Sequence, residues 1–405
     1  MPHDKTVLVM GLGYIGLPTS VTLANAGVKV KGYDVNPAVT SALRGGRIHI
    51  VEPFLQEEFE DAVSSGNLAF VDKYEPADIF IIAVATPFKR GGAGDPEADL
   101  TYVFSAARMV GEVLAKGNLV ILESTVPPGT TGEMTRLLVE TSGLSEDEFF
   151  TAHCPERVMP GRILHELRHN DRVIGASRHE GAEKAHLLYS KVVTEGRIIL
   201  TDDKTAEMCK LAENTCRDIN IAYANELSII ADRVGVDVYK VIEIANLHPR
   251  INILRPGVGV GGHCIAVDPW FLAQAGGNEA GLIAAARRRN DNKTNWVCEK
   301  VSRLCGGLED KTVTVLGLAF KEDVDDIRES AAIRLCDMLR AKGARVVACE
   351  PYVNRPEING IPNLPFAEAL EAGDFCVVAV GHRQFAENAA LIKKRRYYDC
   401  AGICR

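Results

Sequence analysis

The sequence predicts an α/β protein in which two doubly wound, Rossmann-like domains are joined by a long central helix and a small helical region. Three observations predict this fold. A glycine-rich turn follows the first apolar strand, a helical pattern of about 30 residues occupies the middle of the chain, and a second strand–helix pattern begins near residue 312. We expect an N-terminal dinucleotide-binding domain over residues 1–200, a central helical region over 201–302 and a C-terminal domain over 303–405.

Composition narrows the class of protein. The chain has 405 residues and a net charge of −8, which argues against a nucleic-acid partner. It lacks an apolar run of the roughly 18 residues needed to span a bilayer, and its N-terminus does not resemble a signal peptide. The 11 cysteines are scattered and form no CxxC pair, which favours reduced thiols and no metal site. We therefore expect a cytoplasmic protein with no membrane partner.

The sequence GLGYIG, residues 11–16, lies between a predicted strand (6–10) and a predicted helix (17–26). In this context Gly11 makes the turn, Gly13 lets a pyrophosphate approach the backbone, and Gly16 permits close packing of helix on strand. Asp34 ends the next strand, where it would accept hydrogen bonds from the adenosine ribose and repel a 2′-phosphate. The pattern favours NAD over NADP; the alternative is a glycine turn that binds nothing.

Two later strands end in polar turns at the expected ligand edge of the sheet, and a further strand is followed by a candidate polar site residue. Thr86 follows strand 79–84, Thr125 follows strand 119–122, and Glu156 follows strand 149–153. Ordinary turn chemistry is the alternative explanation for each of the two threonine-containing turns. For Glu156, the alternative to a site residue is a purely structural role.

The central helix is predicted over residues 205–234. Lys210 and Asn214 are spaced i,i+4 and therefore share one face of it. A solvated surface charge is the alternative for Lys210. A helix of this length commonly also carries a subunit contact.

The segment PGVGVGGHCIAVDP, residues 256–269, reads as a loop because four glycines in six positions disfavour a helix or strand. It places the Cys264 thiol beside His263 and four residues before Asp268, an arrangement suited to covalent catalysis. The alternative is that Cys264 packs as an ordinary free cysteine.

The C-terminal domain has predicted strands at 312–316, 344–349 and 375–380 and a helix at 330–341. It lacks GxGxxG, so we expect it to bind something other than NAD. Lys321 and Arg328 lie at its predicted ligand edge.

In chain order, GLGYIG, STVPPG, CPER, EMCKLAEN, GVGVGGHCIAVDP and GLAFKEDVDDIRES resemble motifs of the UDP-glucose/GDP-mannose dehydrogenase family. The resemblance implies a dimer-forming central helix and a four-electron oxidation of a sugar's C6 alcohol to a carboxylate with two NAD⁺. Residues 248–272 most resemble the branch that acts on UDP-N-acetyl-D-mannosamine for surface polysaccharide synthesis.

The resemblance also implies roles for individual residues. Cys264 would be the nucleophile, Lys210 and Asn214 would surround the reacting oxygen, and Asp268 and Thr125 would handle water and protons. Glu156 matches the first glutamate of the family's Pro-Glu motif and would also be catalytic. The implied cofactor contacts are Gly11, Gly13, Tyr14, Ile15, Gly16, Asp34, Thr86, Thr125 and Arg328. The implied substrate contacts are Glu156, Arg157, Lys210, Asn214, Arg250, Asn252, Gly257, Gly261, Phe320 and Lys321.

Two positions depart from the family pattern. Pro160 stands where the UDP-glucose enzymes have a second glutamate, which counts against UDP-glucose, and the ending YYDCAGICR is atypical. Oxidation of UDP-N-acetylglucosamine or UDP-glucose is an alternative. A two-electron 3-hydroxyacid-type dehydrogenase, which needs no cysteine, is another, and so is a non-enzymatic NAD-binding module.

Overall fold

Two α/β units make up the chain in the computed structural model, which describes residues 5–89 and 95–405. They meet in sequence between Glu213 and Asn214. In the described part of the chain, no helix is both long and apolar enough to cross a membrane.

The first unit contains an eight-stranded sheet and a small hairpin. Its strands, in chain order, are β1 (Thr6–Met10), β2 (Lys29–Tyr33), β3 (Leu68–Phe70), β4 (Ile79–Ile82), β5 (Phe88–Lys89), β6 (Glu97–Ala98), β7 (Leu119–Leu122), β8 (Phe150–His153), β9 (Arg172–Gly175) and β10 (Ile198–Thr201). The sheet order is β10-β9-β8-β7-β4-β1-β2-β3, and β5 pairs with β6. Neighbouring strands of the large sheet are parallel except β8 and β9, which are antiparallel.

Helices cover both faces of this sheet. They are α1 (Gly16–Asn25), α2 (Pro37–Arg44), α3 (Leu55–Ser64), α4 (Thr101–Gly111), α5 (Thr130–Ser142), α6 (Ile163–His169) and α7 (His179–Tyr189), with a 3₁₀ turn at Glu146–Glu148. Strands β4 (IFII) and β7 (LVIL) are buried at every position, as expected for a parallel sheet covered on both sides. Along β1, Val7 and Val9 face one core while Leu8 and Met10 face the other.

Helix α8 (Asp203–Val234) has 32 residues, about 48 Å at the usual rise per residue, and crosses the boundary between the units. The second unit continues with α9 (Val238–Ala245), α10 (Asp268–Gly276), a 3₁₀ turn at Gly277–Ala280 and α11 (Gly281–Cys305).

A four-stranded parallel sheet forms the rest of the second unit. Its strands, with a short hairpin, are β11 (Thr312–Leu316), β12 (Arg345–Cys349), β13 (Glu357–Ile358), β14 (Ile361–Pro362), β15 (Phe375–Val378) and β16 (Tyr397–Asp399). The sheet order is β12-β11-β15-β16, and β13 pairs with β14. The helices around it are α12 (Ala331–Ala341), α13 (Phe366–Ala372), α14 (Arg383–Glu387) and α15 (Ala389–Ile392).

The predicted fold class is confirmed: both sheets are Rossmann-like and a long helix lies between their sequences. The helix predicted from residue 205 begins two residues earlier, at Asp203. Residues 214–302 belong to the same compact unit as the second sheet, and the predicted division into three domains stays a prediction.

Candidate active site

The turn between β1 and α1 is built around three glycines. Gly11 has a φ of +90°, and a Cβ there would lie 2.7 Å from the carbonyl oxygen of Ala83. A Cβ on Gly16 would lie 1.9 Å from the Gly11 carbonyl oxygen, so neither position accepts a side chain. A Cβ on Gly13 would meet nothing within 4 Å, which leaves the backbone there open to approach. This geometry fits a dinucleotide whose pyrophosphate rests on the turn and the helix N-terminus.

Asp34 holds this turn from the end of β2. Its Oδ2 accepts a hydrogen bond from the Leu12 N–H at 2.9 Å, and its Oδ1 accepts one from the Asn36 N–H at 2.9 Å. Tyr14 and Ile15 lead into α1. The N-cap residue of this helix is Ile15, which has no polar side-chain atom that could cap it. Asp34 therefore supports the glycine turn as well as standing, half-buried, where a ribose contact is predicted.

The turns after β4 and β7 are tied together at the same sheet edge. The Ser124 hydroxyl donates to the carbonyl oxygen of Val84 at 2.7 Å. Thr86 and Thr125, each predicted to contact the cofactor, follow these two residues and are half-buried.

Glu207, which sequence reasoning missed, connects α8 to the start of α5. Its carboxylate accepts from the Gly129 N–H at 2.5 Å, and from the N–H and hydroxyl of Thr131 at 2.7 and 2.6 Å. Glu207 is only 1% exposed, and this burial raises the pKa of its carboxyl group. The STVPPG turn is thereby fixed to the helix that carries Lys210.

Lys210 lies one turn further along α8 than Glu207 and is 9% exposed. A solvated surface position, the alternative for this lysine, is therefore wrong. Asn214 follows one helical turn later.

Glu156 and Arg157 follow β8, and their side chains have different partners. Glu156 is buried, and its Oε1 accepts from the Arg157 N–H at 2.7 Å while its Oε2 accepts from Arg172. The Arg157 guanidinium pairs with both carboxylate oxygens of Glu213, at 3.1 and 2.5 Å. Arg157, predicted to bind substrate, is thus already engaged within its own unit.

In the second unit, side chains hold the backbone of the glycine loop that precedes Cys264. Asn225 accepts from the Gly257 N–H at 2.9 Å, and Thr294 donates to the Val258 carbonyl oxygen at 3.0 Å. Arg334 donates to the carbonyl oxygen of Val260 at 3.2 Å. The loop is therefore a fixed structure anchored to α8, α11 and α12.

Asn214 and Asp268 meet beside Cys264. Asn214 Nδ2 donates to Asp268 Oδ2 at 2.6 Å, and Asp268 is 4% exposed. The carbonyl oxygen of Cys264 accepts from the N–H groups of Val267 and Asp268 at 3.0 and 2.8 Å, which forms one turn leading into α10. The Cys264 residue itself is exposed. The packing alternative for Cys264 is therefore wrong, because its side chain is not part of a core.

The loop glycines lie against the turn after β11. Gly262 has a φ of +85°, and a Cβ there would lie 3.0 Å from the Phe320 ring. A Cβ on Gly261 would lie 2.6 Å from the Glu329 carbonyl oxygen. These contacts bring the predicted substrate residues Gly261 and Phe320 near one another, and Lys321 follows directly.

Arg328, predicted to reach the cofactor, pairs with Asp326 of its own loop through two hydrogen bonds of 2.8 and 2.6 Å. Its side chain is 46% exposed. Arg328 belongs to the second unit, and its contact with the cofactor stays a prediction.

Arg250 and Asn252 lie in the segment before the glycine loop. Asn220 of α8 donates to the Asn252 carbonyl oxygen at 2.8 Å and accepts from the Leu254 N–H at 2.9 Å. Arg250 is exposed beside His248. The backbone of this segment is fixed while the arginine side chain extends from it.

A buried polar network, also missed from the sequence, lies beneath the loop. Arg287 pairs with Asp218 at 2.5 Å, and Asn290 donates to Asp218 at 2.7 Å. Asn225 donates to Asn290 at 2.9 Å, which links the network to the Gly257 backbone. The four side chains are each at most 1% exposed, and their mutual hydrogen bonds offset part of the cost of burying them, although Asp218 Oδ2 and Arg287 Nε have no hydrogen-bond partner among the described residues.

Comparison with family models assigns the class of protein. Residues 5–193 match the NAD binding domain of the UDP-glucose/GDP-mannose dehydrogenase family, residues 204–292 its central domain, and residues 314–405 its UDP binding domain. These matches define an NAD-dependent nucleotide-sugar dehydrogenase. The chain belongs to the UDP-glucose/GDP-mannose dehydrogenase family.

Individual relatives are similar over nearly the whole chain. An NDP-N-acetyl-D-galactosaminuronic acid dehydrogenase from Ralstonia nicotianae is 45% identical, over 98% of this chain and 96% of that protein. A UDP-N-acetyl-D-mannosamine dehydrogenase from Campylobacter jejuni is 44% identical, over 96% and 98%. The structure of a UDP-D-ManNAc dehydrogenase from Pyrococcus horikoshii matches with a TM-score of 0.91 and 40% identity, over 99% and 96%.

Proposed function

We propose that this chain oxidises the C6 alcohol of UDP-N-acetyl-D-mannosamine to the carboxylate, in two successive oxidations, through a covalent intermediate on Cys264. The observation that carries the proposal is the hydrogen bond from Asn214 to the buried Asp268 beside the exposed Cys264. A nucleophilic thiol, an amide donor and a carboxylate in one place suit covalent oxidation of an aldehyde.

The first unit fits NAD through the Gly11, Gly13 and Gly16 turn and Asp34. NAD⁺ held by these residues would supply the hydride acceptor for each oxidation. Asp34 would hold the adenosine ribose, and its negative charge would oppose the 2′-phosphate of NADP.

In the first oxidation, Lys210 and Asn214 would stabilise the oxygen of the reacting alcohol as negative charge develops on it. Lys210 supplies charge and Asn214 a hydrogen bond, and one such preorganised donor is typically worth roughly 10²–10³ in rate. Burial of Lys210 strengthens this interaction because it excludes competing water.

The second oxidation requires the thiol. The Cys264 sulfur would add to the aldehyde carbon to give a thiohemiacetal, and loss of hydride from this adduct leaves a thioester. Water then cleaves the carbon–sulfur bond, which releases the carboxylate and regenerates Cys264. Asp268, Thr125 and Glu156 would position that water and accept its proton.

The substrate assignment is supported by the UDP binding domain and by the names of the relatives. Arg250 and Lys321 would neutralise the pyrophosphate of the nucleotide, which a net-acidic protein otherwise repels. Arg157, Asn252, Gly257, Gly261 and Phe320 would complete the substrate site. The Ralstonia relative makes a UDP-N-acetylgalactosamine-type substrate the second candidate.

A substrate panel tests this assignment. NADH formation is measured with UDP-ManNAc, UDP-GlcNAc, UDP-GalNAc, UDP-glucose and GDP-mannose at equal concentrations. We expect the highest kcat/KM with UDP-ManNAc. A higher value with UDP-GalNAc would transfer the assignment to the second candidate, and turnover of UDP-glucose alone would contradict both.

The proposal also covers the oligomeric state, the domain division and the cellular location of the enzyme. Large apolar side chains on α8 and the segment after it are exposed, including Tyr223, Ile230, Val234 and Leu247 at 50–79% exposure, and a homodimer through this helix would cover them.

The working domains would be residues 1–200, 201–302 and 303–405. Eleven cysteines with no disulfide among the described residues are compatible with a reducing cytoplasm, where the product would feed surface polysaccharide synthesis.

A further inference from the structure

Two buried carboxyl groups share one buried guanidinium at the end of β7. Arg172 Nη1 lies 3.4 Å from Glu123 Oε1, and its Nη2 donates to Glu156 Oε2. The three side chains are 7% exposed or less. One positive charge therefore faces two acids that are largely buried, and ionising both acids would leave a buried charge without a counter-ion.

The hydrogen bonds show which acid is less well supported as an anion. Glu156 has close donors on both oxygens, the Arg157 N–H and Arg172. Glu123 receives only long bonds, all on Oε1: 3.2 Å from Tyr189, 3.4 Å from Arg172 and 3.5 Å from Thr19. Its Oε2 is buried and has no hydrogen-bond partner among the described residues. Glu123 is therefore the acid that carries a proton.

The other groups around Glu123 do not compete for that proton near neutrality. Burial raises the pKa of Glu123 to about 7, with Glu156 adding to the effect and Arg172 opposing it. Burial also raises the pKa of Cys154 to about 12 and that of Tyr189 well above its usual value, so both remain neutral. The charged groups facing Glu123 are thus Arg172 from β9 and Glu156 from the segment after β8.

We infer that Glu123 is a positioning residue that controls Glu156 through Arg172. When Glu123 is protonated, the Arg172 guanidinium pairs with the Glu156 carboxylate alone. When Glu123 ionises, it competes for the same guanidinium, so Glu156 is less well neutralised and becomes a better proton acceptor. The inference rests on the proposed function in one respect, that Glu156 takes part in the oxidation.

The kinetic test compares Glu123→Gln with the unchanged enzyme. Glutamine keeps the size of the side chain and an acceptor for Tyr189 but cannot ionise. We expect the ratio of wild-type to variant kcat with UDP-ManNAc to rise by about three- to tenfold between pH 5.5 and 8.5, since a tenfold change corresponds to one unit of proton affinity. Glu140→Gln, an exposed site on α5, is the control with a pH-independent ratio. A pH-independent ratio for Glu123→Gln would overturn the inference.

A stability measurement needs no substrate and so separates this inference from the proposed function. Native Glu123 holds its proton to higher pH than unfolded Glu123, so the native state binds more protons and wild-type stability falls as pH rises from about 4.5 to about 7. The thermal midpoint of Glu123→Gln minus that of wild type should therefore increase as the pH rises over this range. A constant difference at every pH would contradict a titrating Glu123.

A second variant keeps the test independent of how Glu123→Gln folds. Tyr189→Phe removes the hydroxyl donor that favours ionised Glu123, so the pH-dependent change in kcat should move to higher pH. An unmoved or downward-shifted transition in a folded Tyr189→Phe protein would count against the inference.

Discussion

Asn214 donates a hydrogen bond of 2.6 Å to Asp268, 54 residues away in sequence. The bond fixes the amide of α8 against the first residue of α10, four residues after Cys264. The proposed oxidation depends on this relationship, because it orients both side chains before substrate binds.

Asn214→Ala should lower kcat with UDP-ManNAc by roughly 10²–10³, because it removes a donor to the developing oxyanion and the hydrogen bond that orients the Asp268 carboxylate. Steady-state kinetics on protein of unchanged circular dichroism measures this. Asn295→Ala, on the exposed surface of α11, is the matched control and should retain wild-type kcat. A loss of less than threefold in Asn214→Ala would show that the amide has no such role.

Asp34→Ala should weaken NAD⁺ binding by about 10- to 100-fold and reduce the preference over NADP⁺, because hydrogen bonds to charged groups contribute about 1.5–3 kcal/mol. Titration calorimetry with both cofactors measures the two affinities. Asp34→Asn is the informative control, since it keeps an acceptor for the Leu12 N–H but loses the charge. Equal use of NAD⁺ and NADP⁺ by the wild-type protein would refute this role.

Glu207→Ala should destabilise the first unit by about 1–3 kcal/mol, because two backbone N–H groups and the Thr131 hydroxyl lose their buried acceptor. Urea unfolding followed by circular dichroism provides the shift in midpoint. Glu207→Gln, which keeps one acceptor oxygen, should lose less. If both variants unfolded with wild-type midpoints, the hydrogen bonds of Glu207 would have no energetic role.

Cys264→Ser should abolish formation of the uronic acid while NAD⁺ binding is unchanged. The serine oxygen adds slowly to the aldehyde and leaves a less reactive ester, so an acyl-enzyme should be visible in the intact mass. Cys264→Ala cannot form this adduct and serves as the comparison. An identical added mass in both variants would exclude residue 264 as its site.

Local patterns in the sequence predicted much of the fold. The β1–GLGYIG–α1 unit, Asp34 and the i,i+4 pair on α8 depend on residues close in sequence, where strand, turn and helix periodicity determine geometry. The antiparallel pairing of β8 with β9 could not be predicted, because nothing in either segment specifies its partner's direction.

The residues that support the site could not be predicted from the sequence for a different reason. Glu207 meets Thr131 across 76 positions, and Arg172 meets Glu123 across 49. A lone Glu or Arg in a sequence most often indicates a solvated surface, and only the tertiary structure shows that these are buried and paired. The hydrogen bond from the Gly257 N–H to Asn225 likewise joins residues 32 positions apart.

The stoichiometry of NADH formed per UDP-ManNAc consumed tests the central claim most directly. With substrate limiting and NAD⁺ in excess, the proposed oxidation through Cys264 gives two NADH per sugar, with the uronic acid as the product identified by mass. Cys264→Ala should give at most one NADH per sugar and no acid, since the alcohol oxidation needs no covalent bond. Two NADH per sugar from Cys264→Ala, or one from the wild-type enzyme, would contradict the account.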